Sequence, residues 1–159
     1  MSLRSLLVVG GPPLAAAVVG GLGSRRAPEV YGRLAKPRWA PPAQAFGPVW
    51  TALYVSIGVV GGRMHRRGAA PRTWALHGTQ LALNAAWPAT FFGIRDRRAA
   101  LGVIAALDAV LVAEVADLAR RDPVAAATLG PYLGWCLFAT ALTARVGDPG
   151  PAGGAPGVV

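Results

Sequence analysis

The chain has 159 residues, of which 53% are hydrophobic and only 14% are charged. This balance leaves too little polar surface to coat a soluble globule of this size, and it favours a lipid environment. The formal net charge of +9 is also compatible with a nucleic-acid binder. However, the basic residues gather at the flanks of apolar stretches, where arginine and lysine meet lipid headgroups. No basic stripe with stacking aromatics occurs elsewhere, so nucleic acid is excluded as an expected partner.

Five apolar segments are each long enough to cross a bilayer core of about 30 Å at about 1.5 Å per residue. We therefore predict an all-α fold, an integral membrane bundle of five transmembrane helices that forms one domain over residues 1–146. The helices are predicted at about residues 3–22, 46–63, 74–94, 99–119 and 124–145. The chain should accordingly be a multi-pass integral membrane protein in contact with lipid.

The first segment has a second interpretation. Its basic start at Arg4, its apolar middle and the small residues Ala15 to Ala17 are also typical of a secretory signal peptide. Pro12 and Pro13 predict a kink, because proline removes an amide donor and clashes with the preceding turn. We expect this segment to be retained as the first membrane helix.

Residues 23–45 are polar, basic and rich in proline. Because Pro37, Pro41 and Pro42 push their predecessors into extended geometry, we predict a structured loop rather than a helix. Connections of this length are usually functional lids or flexible linkers. Tyr31 and Trp39 favour a lid. After the fifth helix, residues 147–159 are rich in glycine and proline and are predicted to be disordered.

Polar and aromatic residues of the third segment share one helical face. His77, Gln80, Asn84, Trp87 and Phe91 follow three- and four-residue steps. Amides are costly against lipid, so this face should look into the bundle. Gln80 and Asn84 then either hydrogen-bond a neighbouring helix or belong to a ligand site, and spacing favours neither interpretation.

Two other segments carry stripes of aromatic and small residues. These are Phe46, Trp50, Tyr54 and Gly58 in the second segment, and Tyr132, Trp135, Ala139 and Leu142 to Thr143 in the fifth. Three inward stripes of this kind are able to enclose an apolar pocket for a large hydrophobic ligand, sited between the second, third and fifth helices. They are equally compatible with a filled core in which small residues let backbones approach.

The acidic residues of the fourth segment are expected to be structural. Asp108 lies near its middle, where an unpaired carboxylate is costly, so it should face protein rather than lipid. Asp117 should pair with Arg121 one turn on, a contact of small energy. Asp108, Glu114 and Asp117 do not share one face, so we do not interpret them as a proton relay.

No metal site is predicted. The single Cys136 excludes an internal disulfide and a multi-cysteine metal site, and it is expected to be a small buried residue. His65 lies in a basic loop and His77 close to a membrane boundary. We therefore do not expect axial haem ligation by either, because an apolar pocket can hold a porphyrin by stacking and dispersion alone.

Four motifs carry a family resemblance. They are KPRWAPP at Lys36 to Pro42, FGPVWTALY at Phe46 to Tyr54, QLALNAAWPATFFG at Gln80 to Gly93, and PYLGWCLFATAL at Pro131 to Leu142. In order and spacing they resemble the TspO/translocator-protein family, from the end of the first helix to the end of the fifth. The resemblance implies a five-helix bundle, expected as a homodimer, whose ligand cavity is closed on one side by the first loop.

The resemblance also implies ligands and site residues. The expected ligands are tetrapyrroles such as protoporphyrin IX and haem, and also sterol-like and benzodiazepine-type molecules. No cofactor is required, because porphyrin or haem is the ligand. Carried over by motif, Trp39 and Asn84 would be the polar contacts, Trp135 and Ala139 would wall the cavity, and Tyr31, Trp50, Tyr54 and Trp87 would line or support it.

One departure concerns sterols. The fifth segment ends as Leu142-Thr143-Ala144-Arg145 and carries no tyrosine there. It thus lacks the leucine/valine–tyrosine–basic pattern proposed for cholesterol contact. Tetrapyrroles are therefore expected ahead of sterols.

Three functions agree with this pattern. The first is a membrane receptor or carrier that binds a tetrapyrrole in the bundle. The second is a light- and oxygen-dependent enzyme that oxidises bound porphyrin beside Trp39 and Trp135, although the sequence has no nucleophile–base constellation that would independently indicate catalysis. The third is a sensor of tetrapyrrole or stress that acts through partner proteins.

Overall fold

The computed structural model describes residues 3–147, with side chains from residue 10 onward. Within this range the protein is all-helical, as the sequence predicts. The α-helices are α1 (Leu3–Gly23), α2 (Ala27–Arg33), α3 (Phe46–Arg66), α4 (Pro71–Pro88), α5 (Arg97–Arg121) and α6 (Pro123–Arg145). A 3₁₀ turn (Ala43–Ala45) precedes α3, and a π-helical segment (Ala89–Ile94) continues α4.

Three of the described helical stretches are long and apolar enough to cross a membrane. They are Ala43–Arg66, Arg97–Arg121 and Pro123–Arg145. Helix α4 is less apolar because its buried face carries Thr73, His77, Gln80 and Asn84. The helices identify a membrane protein, and the count of five crossings stays a prediction.

The long helices begin and end close to the predicted residues, and side-chain caps explain two of the starts. The carboxylate of Asp96 accepts a hydrogen bond from the Ala99 amide at 3.0 Å, so α5 begins at Arg97. Asp122 accepts one from the Ala125 amide at 3.2 Å at the start of α6. Aspartate is a favoured N-cap because it satisfies amides that have no partner within the helix.

The prediction that residues 23–45 contain no helix is wrong over Ala27–Arg33, which forms α2. Pro28 lies in its first turn, where a missing amide costs nothing and the fixed φ suits a helix. At the other end, the Lys36 ammonium donates to the backbone oxygens of Tyr31 at 2.6 Å and Leu34 at 3.2 Å. These carbonyls would otherwise lack partners, so Lys36 stabilises the end of the helix.

The five longer helices of the described range pack in a closed ring. Helix α1 lies between α3 and α4, α6 lies between α3 and α5, and α4 contacts α5. Helix α1 comes close to the start of the π-helical segment at Gly23, where an added Cβ would lie 2.9 Å from the Ala89 amide nitrogen. Consecutive helices α3 and α4 are therefore not neighbours in the ring, and side chains connect them across its interior.

The π-helical segment follows directly from Pro88. Proline has no amide hydrogen to donate to the Asn84 carbonyl, and its ring disturbs the preceding turn. The wider turn that follows buries both Phe91 and Phe92, which are 9% and 8% exposed. The segment ends at Arg95, whose φ of 61° is left-handed.

The buried acids of α5 each have a partner on a neighbouring helix. Asp108, 8% exposed, accepts a hydrogen bond from the Thr140 hydroxyl at 2.7 Å, which confirms that it faces protein. Asp117 pairs with Arg121 at 3.4 Å as predicted, and it also accepts a shorter bond of 2.7 Å from Thr73.

The third acid pairs with a histidine. The Nδ1 atom of His77 lies 2.7 Å from Oε1 of Glu114, and both side chains are fully enclosed between α4 and α5. The structure thus gives His77 a partner within the protein.

Residues 147–159 are predicted to be disordered, and of these, residues 148–159 lie outside the described range. Gly147 itself is ordered against the first loop, because its amide donates to the Ala35 carbonyl at 3.0 Å.

Candidate ligand cavity

A cavity of about 370 Å³ lies between α1, α3 and α4, with α2 across one end. Helix α1 contributes only the small residues Ala17, Gly20 and Gly21 to its lining, and Ser24 follows directly after the helix. They follow three- and four-residue steps and so share one face of the helix. Because this face has almost no side-chain volume, it leaves space that the neighbouring helices do not fill.

The opposite walls are aromatic. Helix α3 contributes Phe46, Trp50 and Tyr54, and α4 with its π-helical extension contributes Trp87 and Phe92. The Trp50 and Tyr54 rings lie 5.8 Å apart in a tilted arrangement, and Trp87 meets Phe92 edge-on at the same distance. Such walls suit a flat apolar molecule, because ring faces and edges both offer favourable contacts.

A buried polar chain enters the cavity at Asn84, which is 3% exposed. The Tyr54 hydroxyl donates to Asn84 Oδ1 at 2.6 Å, and Asn84 Nδ2 donates to the Tyr132 hydroxyl at 2.8 Å. That hydroxyl in turn donates to Gln80 Oε1 at 3.0 Å. Gln80 and Asn84 therefore hydrogen-bond side chains of neighbouring helices, and Asn84 also lines the cavity. The two roles considered for these amides are compatible with each other.

Helix α2 closes one end of the cavity through Ala27, Pro28 and Tyr31. The Tyr31 ring is 7% exposed and meets Phe46 edge-on at 5.2 Å. Its hydroxyl donates to the Pro41 carbonyl at 2.8 Å. A tyrosine hydroxyl is protonated at neutral pH and can donate this bond, and burial raises the pKa of the Tyr31 phenol further above its ordinary value.

Five of the eight residues expected at the site line the cavity: Tyr31, Trp50, Tyr54, Asn84 and Trp87. The structure places the other three elsewhere. Trp135 stands behind the wall, with its ring 5.9 Å from Phe46 and 6.5 Å from Trp50. Ala139 is 6% exposed and belongs to the packed core. Trp39 is 46% exposed and contacts Phe138 at 5.6 Å.

The cavity also differs in position from the one expected between the second, third and fifth long helices. Its third wall is α1 instead of α6, because Tyr132 and Trp135 of α6 pack against Trp50 at 6.3 and 6.5 Å and occupy the intervening space. The α1 stripe was missed by sequence reasoning. Its signal is the recurrence of small residues at Ala17, Gly20, Gly21 and Ser24.

The lining of the cavity is uncharged as well as largely apolar. Among the described residues that line the cavity, none is acidic, basic or histidine. Exposed Arg25 and Arg26 stand between the lining residues Ser24 and Ala27, where α1 turns into α2. No group of three potential metal ligands occurs within residues 3–147.

Relatives with established names resemble most of the chain. A protein from Archaeoglobus fulgidus named tryptophan-rich protein TspO is 40% identical over 70% of this chain and 74% of its own length. The translocator protein of Homo sapiens is 36% identical, over 70% of this chain and 69% of its own. The tryptophan-rich sensory protein of Cereibacter sphaeroides is 32% identical over 72% of each.

The motifs of the sequence, the helical membrane fold and these relatives agree. The family model described as the TspO/MBR family matches residues 9–147, which is nearly the whole of the described chain. The protein is therefore a member of the TspO/MBR family of membrane translocator and sensory proteins.

Proposed function

We propose that the protein is a membrane receptor or carrier that binds a tetrapyrrole, such as protoporphyrin IX or haem, in the cavity between α1, α3 and α4. The observation that carries this proposal is the combination of a glycine-lined face on α1 with aromatic walls on α3 and α4. A flat macrocycle has two extended faces, and the aromatic walls offer stacking while the small residues admit its thickness. Porphyrin or haem is here the ligand, and no separate cofactor is needed.

Asn84 would fix the orientation of the ligand. Its amide is held by Tyr54 on one side and Tyr132 on the other, so it is positioned before a ligand arrives. A positioned polar group costs less entropy on binding than one that must be ordered. Trp135 would act through Trp50 and Phe46, which it contacts, while direct contact by Trp39 or Ala139 would require a ligand that reaches beyond the cavity.

The absence of charge in the described lining favours a ligand whose ionic groups stay outside. Protoporphyrin IX carries its two carboxylates on one edge of an apolar ring. Arg25 and Arg26 are exposed between two lining residues, where they would meet that edge. Arginine is well suited to carboxylates because its planar donors match their geometry.

We further propose that α1, α3, α4 with its extension, α5 and α6 all cross the membrane, with α2 as a lid, and that the protein forms a homodimer. Closed packing of the five long helices supports the first part, since an α4 inside such a ring can carry polar residues toward its neighbours. Sterol-like and benzodiazepine-type molecules are secondary ligands, because the same walls accept other flat apolar rings.

The test is a titration of the purified full chain in detergent with protoporphyrin IX, followed by tryptophan quenching. Trp50→Phe and Asn84→Ala should each weaken binding by about tenfold, which corresponds to about 1.4 kcal/mol. Trp74→Phe is the matched control, because Trp74 lies on α4 near His77 and outside the cavity lining. Equal affinities for all variants would overturn the site.

The dimethyl ester of protoporphyrin IX separates the two parts of the proposal. Arg25→Gln and Arg26→Gln should weaken the binding of the free acid, because they remove the partners of its carboxylates. The ester keeps the ring and lacks the ionised carboxylates, so it should still bind, and these two variants should not weaken its binding. If the ester were as sensitive to these two variants as the free acid, the arginines would not be meeting the carboxylates.

A further inference from the structure

A second recess lies on the other side of α2 and is separate from the ligand cavity. It encloses about 190 Å³ between α2, the end of the π-helical segment, the start of α5 and the end of the described chain. Its floor is apolar, with Val30, Leu34, Phe91 and Val146, and its rim is basic, with Arg33, Arg95 and Arg97. We refer to it as the arginine cleft.

The three arginines differ in how much hydrogen-bonding capacity they have left. Arg97 donates to the Val146 carbonyl at 2.5 Å and keeps its remaining donors. Arg33 pairs with Glu29 at 3.1 Å, but both side chains are more than half exposed, so the pair is weak. Arg95 has no carboxylate within ion-pair distance among the described residues. Of the described residues that line the cleft, Glu29 alone is acidic.

The cleft includes the connection between the π-helical segment and α5. Arg95 ends the π-helical segment in a left-handed conformation, which turns the chain sharply before Asp96 caps α5. A non-glycine residue in this conformation is uncommon and costs free energy. The C-terminal side of the cleft is held by Gly147, whose amide donates to Ala35 at 3.0 Å. The recess thus lies between two chain segments that are held by hydrogen bonds, the turn at Arg95 and Asp96 and the end of the described chain at Gly147.

We propose that the arginine cleft binds the phosphate headgroup of an anionic phospholipid. Arginine matches phosphate because it offers several donors in a fixed planar arrangement. The apolar floor suits the glycerol backbone and the first methylene groups, which a free phosphate ion lacks. A membrane protein meets such headgroups at the ends of its helices, where basic side chains are attracted to anionic lipid. This inference does not depend on the ligand proposed for the main cavity.

The test uses the purified full chain in dodecyl maltoside, titrated with dioleoyl phosphatidylglycerol and followed by native mass spectrometry. Phosphatidylcholine, which is zwitterionic, should bind more weakly. Arg95→Gln should lower the affinity for phosphatidylglycerol by about fivefold, as expected for one arginine at a lipid surface. Glu29→Gln should raise that affinity, because it removes the acid that competes for Arg33.

Arg98→Gln is the matched control. Arg98 is also exposed, follows Arg97 in the same helix and does not line the cleft. If it lowered the affinity as much as Arg95→Gln does, the lipid would be responding to net charge and the proposal would be wrong. Inorganic phosphate should fail to displace the lipid, and displacement at similar concentrations would show a free-anion site instead. Arg95→Lys keeps the positive charge and loses the planar donors, so its affinity should lie between those of the wild type and Arg95→Gln. An affinity as low as that of Arg95→Gln would mean that the charge of this residue does not contribute, and the proposal would be wrong.

Discussion

The amide nitrogen of Asn84 donates a hydrogen bond of 2.8 Å to the Tyr132 hydroxyl and so joins α4 to α6 inside the helical ring. The same hydroxyl donates to Gln80 Oε1 at 3.0 Å. Tyr132 is completely buried, so no solvent can replace these bonds if its oxygen is removed. Its phenol therefore determines how firmly the Asn84 amide is held at the cavity.

Tyr132→Phe should lower the free energy of unfolding by about 1 kcal/mol, since both amides lose a partner in a buried site. It should also weaken porphyrin binding, because Asn84 becomes free to reorient. Thermal unfolding in detergent and the porphyrin titration measure the two effects. Thr128→Ala removes a partly exposed hydroxyl that donates to the Val124 carbonyl of its own helix, and it should change neither.

Gly21→Leu should fill part of the cavity and weaken porphyrin binding by about tenfold or more. A Cβ at this position meets no atom within 4 Å, so the larger side chain can be accommodated without disturbing the helices. Gly78→Leu is the control, because Gly78 also has open space around it but lies outside the cavity lining. If both variants bind porphyrin normally, the ligand does not occupy the space beside α1.

Gly23→Ala should destabilise the protein by about 1–3 kcal/mol, in contrast to Gly21→Ala. The new methyl group would lie 2.9 Å from the backbone nitrogen of Ala89 and 3.2 Å from its Cα. Backbone atoms cannot rotate away as a side chain can, so α1 would have to move away from the π-helical segment. Gly21→Ala should leave stability unchanged or slightly raised, since alanine is the better helix former. Equal unfolding temperatures for the two variants would contradict the close approach.

The pairing of Asp122 predicts a pH dependence of stability. Arg63 donates to its two carboxylate oxygens at 3.0 and 2.8 Å, and these bonds hold the pKa of Asp122 below its ordinary value of 3.8. The pair should therefore stabilise the folded protein at pH values above 3.8, and this contribution should be lost as the pH falls through the lower folded-state pKa.

Thermal unfolding of Asp122→Asn as a function of pH measures this contribution. The variant should be less stable than the wild type near neutral pH, and the difference should close in acid. Asp96→Asn is the control, since Asp96 caps α5 in a similar way and forms no ion pair within residues 3–147. Asparagine caps helices about as well as aspartate does. A difference for Asp122→Asn that persists unchanged in strong acid would rule out the carboxylate as its source.

The buried contact between His77 and Glu114 should be strongly coupled. Their side chains are 3% and 0% exposed and lie 2.7 Å apart, so removal of one leaves a buried polar group without a partner. His77→Leu and Glu114→Leu should each cost about 3 kcal/mol. The double variant should cost clearly less than the sum, by about 1 kcal/mol or more, in a double-mutant cycle of unfolding free energies. Additive effects would mean that the two side chains do not interact.

Periodicity in the sequence identified which helical faces look inward. The His77 to Phe91 face and the aromatic face of α3 are both directed toward the interior, and hydropathy placed the ends of the long helices closely. Local patterns report such faces well, because the burial of a side chain depends on its position around one helix. Asn84 and four aromatic residues of the cavity were found in this way.

The order of the helices around the ring was not accessible in the same way. Arg63 and Asp122 are 59 residues apart, and nothing in the local sequence of either identifies the other as its partner. Likewise, the small residues of α1 are compatible with a lipid-facing surface, a packing face or a cavity wall. Helix α2 was missed because the prolines that follow it suggested extended chain throughout the loop, whereas Pro28 and Lys36 stabilise a short helix within it.

Helix α2 contributes Tyr31 to the ligand cavity and Arg33 to the arginine cleft, so two chemically different compartments share seven residues of backbone. Thermodynamic linkage requires that any coupling between ligands bound at the two sites be reciprocal. If lipid in the cleft changes the affinity for a porphyrin by some factor, porphyrin in the cavity must change the affinity for the lipid by the same factor. The composition of the surrounding bilayer would in that case act as an effector of the protein, and the porphyrin would act in return on its lipid neighbours.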